Sequence, residues 1–130
     1  MIVPLFEPDT PLEVTRAMLG IFLRSLVAAN VVWLLRHPKT PSLYDSGVEY
    51  EREPPGQEEW QTIPALLKSR AGDCEDLAAW RVAELQVKGE PARIITKTKR
   101  LETGKLLIHV LVRRGDGTIE DPSMMLGMGL

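Results

Sequence analysis

The stretch from Ala17 to Leu35 is the most apolar in the chain, and Arg24 stands near its middle. No other feature constrains the fold as much. The stretch has the length of a membrane span, but an arginine at the centre of a spanning helix costs roughly 2.5–3.5 kcal/mol on insertion scales. Ser25 and Asn30 add further polar groups. Glu7, Asp9 and Glu13 precede the first basic residue, where a signal peptide needs a basic region. The expectation is a core helix of a soluble, cytoplasmic protein with no membrane contact. Its predicted limits are Pro11 and about Arg36, with Asp9 or Thr10 as N-cap and His37 closing the C-terminus ahead of Pro38. At helical spacing Leu19, Phe22, Leu23, Leu26, Val27, Trp33 and Leu34 share one stripe, and Arg24 and Ser25 lie outside it. Asn30 falls inside the stripe. A buried amide without partners is costly, so its expected role is to satisfy a loop backbone beside the helix.

The 130 residues fit one domain, within which 1–59 supply the first helix and a wrapping loop and 60–124 the core. Sixteen basic against eighteen acidic side chains leave a net charge of −2, too little for a surface that tracks phosphates, so no nucleic acid is expected as partner. One cysteine excludes an internal disulfide and a multi-cysteine zinc site. Residues 37–59 read as a long irregular connection with a strand-like piece at Gly47–Glu51 and prolines at Pro54 and Pro55. Trp60 to Lys68 reads as a short helix.

The second long helix is signalled by Asp73 as N-cap and Asp76 three positions on, the spacing of a capping box, and runs to about Lys88 before Gly89. Ala78, Val82 and Leu85 share the Cys74 side, and Trp80, Ala83 and Val87 lie opposite, leaving Arg81, Glu84 and Lys88 as a polar strip with a Glu84–Lys88 pair. Two apolar faces place this helix centrally, between the first helix and a sheet. Strands follow at Arg93–Thr98, Leu106–Arg113 and Thr118–Asp121, with turns at Thr103-Gly104 and Gly115-Asp116-Gly117, and Pro122 ends the last. The fold class is α+β, helices first and then an antiparallel sheet of three or more strands.

Cys74 occupies the first position of its helix, where the macrodipole and free N–H groups favour a thiolate and can bind an oxyanion. Asp73, Glu75 and Asp76 oppose that charge, so a protonated imidazole near the sulfur is required. His109 sits mid-strand in Leu107-Ile108-His109-Val110-Leu111, and the hairpin turn lies about halfway between it and Asp121. An even register puts His109 and Asp121 on one face; an odd register separates them unless a bulge intervenes. A core histidine and a turn-starting aspartate remain the alternatives. A metal held by Cys74, His109 and Asp121 falls short of the four nitrogen and sulfur donors of structural zinc.

The segments Ala71-Gly72-Asp73-Cys74-Glu75-Asp76, Ile108-His109-Val110 and Ile119-Glu120-Asp121-Pro122 together resemble the transglutaminase-like superfamily, a branch of the papain-like cysteine proteinase fold. The resemblance covers roughly residues 60–124 and implies Cys74 as nucleophile, His109 as general acid/base and Asp121 as the group orienting the imidazole. It also makes Trp60 and Gln61 candidates for a second oxyanion donor. The loop from Thr40 to Tyr50 is similar to small stand-alone members encoded among phage structural genes, which implies a place in a virion or a larger assembly. Tyr44 and Tyr50 either line a substrate groove or pack against the sheet edge. The acidic calcium loops of the large animal enzymes are missing, so neither calcium nor any cofactor is expected. The function implied is hydrolysis of a peptide, isopeptide or other amide bond through a thioester, ahead of cross-linking. The rival is a non-catalytic binding or assembly module on the same fold.

Overall fold

A computed structural model describes residues 2–3, 11–53, 59–104 and 106–129, of which 2, 3 and 106 by backbone alone. The long apolar stretch forms α1 (Leu12–Arg36), which starts at Pro11 without a side-chain cap; the caps expected at Asp9 or Thr10 lie outside the described residues. Leu19, Leu23, Leu26, Val27 and Leu34 turn into the core as the stripe requires, and Arg24 and Ser25 stay exposed. Phe22 departs from that stripe. It is half exposed and meets the Trp60 ring edge-on at 5.5 Å. Asn30 is fully buried, and its Oδ1 accepts the Ile63 backbone N–H at 2.9 Å, the loop-satisfying role expected of it. At the other end the His37 N–H returns to the carbonyls of Trp33 and Leu34, while its ring stacks on Trp33.

After α1 the chain wraps the body through a 3-10 turn (Leu43–Asp45) and β2 (Glu49–Tyr50); Pro54 and Pro55 lie outside the described residues. The next helix, α2 (Ile63–Ser69), begins later than Trp60. Arg70, in the left-handed region at φ 68, closes it and turns the chain into β3 (Ala71–Gly72), which pairs in parallel with β2.

At the centre lies α3 (Cys74–Val87), with α1 on one side and the sheet on the other. The sheet is antiparallel: β4 (Arg93–Arg100) pairs with β5 (Leu106–Arg113), and β1 (Ile2–Val3) and β6 (Ile119–Glu120) pair with β5 as well. Ile108, Val110 and Val112 are buried on the α3 side. A last turn, α4 (Pro122–Met125), returns the chain to α3. The α+β class and the central helix agree with the sequence. The elements β1, β3 and α4 went unanticipated, since two to four residues hold no periodicity to read.

One expectation on α3 needs correction. Glu84 is buried, not part of a solvated strip: its carboxylate accepts the Leu43 N–H at 3.2 Å and meets Arg81 Nη1 at 3.1 Å, and among the described residues it makes no ion pair with Lys88. The wrapping loop covers this face, and Val87 is left exposed instead. Removing the Asn30 amide strands the Ile63 N–H, so Asn30→Ala should lower stability by about 1–3 kcal/mol, the cost of an unsatisfied buried donor. Urea denaturation checks this, and an unchanged midpoint would contradict the assignment.

Candidate active site

The start of α3 is built by close approach. A Cβ on Gly72 would lie 2.5 Å from Leu66 Cδ2 and 3.3 Å from Asp76 Cβ, so glycine lets β3 pass between α2 and α3 without displacing the Leu66 side chain. Asp73 and Asp76 form the capping box: the Asp73 N–H donates to Asp76 Oδ2 at 3.2 Å, and the Asp73 side chain accepts the N–H of Asp76 in return. Asp76 Oδ1 also accepts the Gln61 N–H at 2.8 Å, which ties the preceding loop to the helix. Burial, against the relief of those bonds, pushes the Asp76 carboxyl up to about 7.

Across the sheet the register is the even one. Val112 pairs with Glu120 and Arg113 with Ile119, so one step further Asp121 lies across from Leu111, diagonal to His109 and on the same face. His109 Nε2 lies 2.8 Å from Asp121 Oδ2. With the Nε2 proton donated to that carboxylate, Nδ1 is left as the acceptor. Asp121 is also the N-cap of α4, its Oδ1 accepting the Met124 N–H at 3.3 Å.

Cys74 Sγ reaches β5 at the residue before His109, lying 4.0 Å from the Ile108 carbonyl, and donates to Glu75 Oε2 at 3.6 Å. The thiol is only 1% exposed. Desolvation, joined by the Glu75 and Asp73 carboxylates, pushes its pKa well up, and the Val110 N–H opposes this only in part. The sulfur is therefore a neutral thiol at rest, contrary to the expectation of a standing thiolate. Its own backbone N–H is engaged too, donating to Asp73 Oδ1 at 2.7 Å, so the amide expected to receive an oxyanion is occupied. Donor atoms of Asp73, Cys74 and Glu75 lie within 4.8 Å of one another, close enough for a metal ion. Their set of one protonated thiol and two carboxylates suits neither structural zinc nor the all-oxygen shell of calcium.

The other candidates have structural duties. Gln61 Nε2 donates to the Ala71 carbonyl at 2.8 Å and its Oε1 accepts from Ser69, so this amide braces the α2–β3 turn and is not free to meet an oxyanion. Trp60 packs on Phe22 of α1. Tyr50 is half-buried, and burial with the nearby Asp73 carboxylate pushes its phenol up to about 12, which places it beside the start of α3. Tyr44 donates to Glu120 Oε2 at 2.5 Å and packs under Arg81.

Glu120 is the residue that the sequence did not disclose. Besides Tyr44 it accepts from Arg81 Nε at 2.6 Å, Arg81 Nη2 at 3.3 Å and Arg114 Nη1 at 2.9 Å. Arg114 in turn grips Glu90 with two bonds of 2.5 and 2.8 Å. These bonds anchor β6 to α3 immediately before Asp121. Nothing local in the sequence marks this cluster, because its members meet only once the register is fixed. Glu120→Ala should cost about 1.5–3 kcal/mol, as for a lost charged hydrogen-bond group. It should also weaken the His109–Asp121 bond, seen as faster exchange of the imidazole N–H in NMR spectra; an unaltered N–H signal would contradict the link.

Asp76 binds its proton more tightly folded than unfolded, so its contribution is full below about 4 and is lost as pH rises toward its folded value. Denaturation midpoints should fall between about pH 4 and pH 7, and Asp76→Asn should flatten that slope; an unchanged slope would contradict the assignment.

Compared with known proteins, the chain matches no family model, no curated protein and no solved structure.

Proposed function

We propose that the chain is a thiol acyl-transfer enzyme of the transglutaminase-like kind, on a papain-like scaffold, acting on a protein or peptide amide. The observation supporting this is the 2.8 Å bond from His109 to Asp121 on strands beside the one helix start that holds the chain's cysteine. In this reading Cys74 Sγ attacks the carbonyl carbon while its proton passes to His109 Nδ1, and Asp121 holds the imidazolium that forms. The tetrahedral adduct collapses, the C–N bond breaks, and the amine leaves with the proton from His109. Water then attacks the thioester with His109 as base, releasing the carboxylic acid and restoring the thiol. Hydrolysis is favoured over cross-linking because water is always present. The likeness of the Thr40–Tyr50 loop to phage-encoded members adds a cytoplasmic or virion setting to the proposal.

This reading carries two conditions: substrate must displace what covers the buried, neutral sulfur so that deprotonation accompanies attack, and the His109 ring, on the face of β5 opposite the α3-facing Ile108 and Val110, must come round the strand edge to reach Sγ. The same burial, with the Cys74 N–H bound to Asp73, favours a second reading, a non-catalytic binding or assembly module that keeps the fold.

Alkylation of Cys74 by iodoacetamide across pH separates the two. The enzyme reading, with His109 taking the proton during attack, expects labelling at neutral pH despite the raised thiol, at a rate that His109→Ala lowers by about 10²–10⁴-fold. Cys74→Ala should abolish labelling and cost less than about 2 kcal/mol, below the range of core truncations. A thiol that reacts only above the free-cysteine range, indifferent to His109→Ala, leaves the binding module.

A further inference from the structure

A groove of about 810 Å³ runs between α1 and β4, with α3 beneath it. Leu23, Val27 and Val82, all buried, form its apolar floor. Arg16, Arg24 and Arg93 line it too, and no carboxylate does. All three arginines are exposed, and none forms an ion pair among the described residues. Arg24 lays its guanidinium back over Gly20 toward Arg16, whose Nη2 donates to Thr98 Oγ1. Like charges gather here on a protein of net charge −2, an arrangement that repels itself until an anion joins it. The second wall is a strand edge. Among the described residues β4 pairs only with β5, so its other edge carries backbone N–H and C=O groups without a strand partner. Ile94 and Thr96 share the α3 side with Val112 and Val110, and Ile95 points the other way. All three line the groove, which therefore follows the edge itself. Lysines commonly guard an edge strand against pairing, and Lys97 and Lys99 suit that duty. It does not account for Arg16 and Arg24, which enter the groove from the helix.

We infer that the groove takes an acidic, extended segment of a partner protein, which adds to β4 as a further strand beside α1. Main-chain bonds to the free edge hold such a segment, and its side chains alternate. Those turned inward cover Leu23, Val27 and Val82, and carboxylates along its length meet Arg16, Arg24 and Arg93. A small anion has no use for the edge, and a neutral strand leaves the arginines unanswered. The stretches outside the described residues do not reach the Arg24–Arg93 end of the groove. Val3 pairs at Leu106, across β5 from β4 and at the opposite end of the sheet from Arg93. From there a path by way of Arg24 to Pro11 runs about 23 Å along the strands and about 20 Å along the helix. The residues between Val3 and Pro11 span at most about 29 Å. The Glu53 N–H donates to Asp73 and the Glu59 N–H to Glu53. Residues 54–58 thus begin and end at the start of α3, about 18 Å along its axis from Gln86 in the groove wall.

The groove stands at the far end of α3 from Cys74 and is independent of the chemistry proposed there. Fluorescence anisotropy of the full chain with a short labelled peptide alternating valine and glutamate tests it. The expected result is saturable binding at low salt that the same peptide with lysine in place of glutamate does not show. Arg24→Glu and Arg93→Glu should each raise the dissociation constant at least about tenfold, as an attractive contact turns repulsive. Both side chains are exposed, so circular dichroism of these variants should be unchanged. Strand addition has its own signature. Of two peptides N-methylated at alternate residues, one set and then the other, one should lose binding and the other keep it, since a strand uses only one edge. Amide exchange within Arg93–Arg100 should also slow when the unmodified peptide is bound. No binding at low salt, binding indifferent to both charge reversals, or equal binding of both N-methylated peptides would overturn the proposal. So would displacement of the peptide by citrate at equal concentration, the mark of a site for small anions.

Discussion

The first turn of α3 begins inside the protein. Asp73, Cys74, Glu75 and Asp76 are all buried, and a buried helix start must find partners for its free N–H groups without water. The capping box serves two of those donors, and Asp73 serves the Cys74 N–H as well. Asp76 then has one oxygen left for Gln61, and this draws the segment ahead of α2 against the helix. Gly72 allows the approach, and the pairing of β2 with β3 draws the wrapping loop over the same end. Placement of the cysteine, enclosure of its sulfur and the paths of residues 43–53 and 59–62 all follow from this one buried turn.

Enclosure decides the electrostatics. A helix N-terminus favours an adjacent anion by about 0.3–1 kcal/mol, and about 2 kcal/mol at most, which is no more than roughly 1.5 pKa units. Burial alone can raise a thiol by about 3–5 units. At Cys74 the carboxylates of Glu75 and Asp73 add to burial, so the dipole loses and the thiol stays protonated. A nucleophile in such a place depends on a base that takes the proton during attack. In the proposed reaction that base is His109, whose imidazolium the Asp121 carboxylate would stabilise.

Features governed by neighbours in the chain were legible in the sequence. The capping box, the inner stripe of α1 apart from Phe22, and the glycine-rich hairpin turn each involve residues a few positions apart, and these occur where expected. Asn30 was legible for a different reason: a polar group on an apolar stripe has few tolerable fates. Long-range enclosure was not legible. Glu84 read as a surface residue because its helix position gave no sign that Leu43 would cover it. Cys74 read as an activated thiol for the same reason. The hairpin register needed the turn geometry, which the run of Gly115, Asp116 and Gly117 leaves open, and the Glu120 cluster could not be seen until the register was known.

The two readings of Asp121, turn starter and hydrogen-bond partner of His109, are compatible in the structure. Oδ1 caps α4 through Met124 and Oδ2 meets His109, so one carboxylate ends a strand, starts a helix and orients an imidazole. That sharing demands a fixed backbone, which β6 cannot supply by itself, since among the described residues only Ile119 and Glu120 pair it with β5. Alternation across the strand supplies the rest. Glu120 points to the α3 side and is held by Arg81, Arg114 and Tyr44, and the next residue must then point to the His109 side. The ion cluster on the inner face thus sets the position of the acid on the outer one, through a single peptide unit.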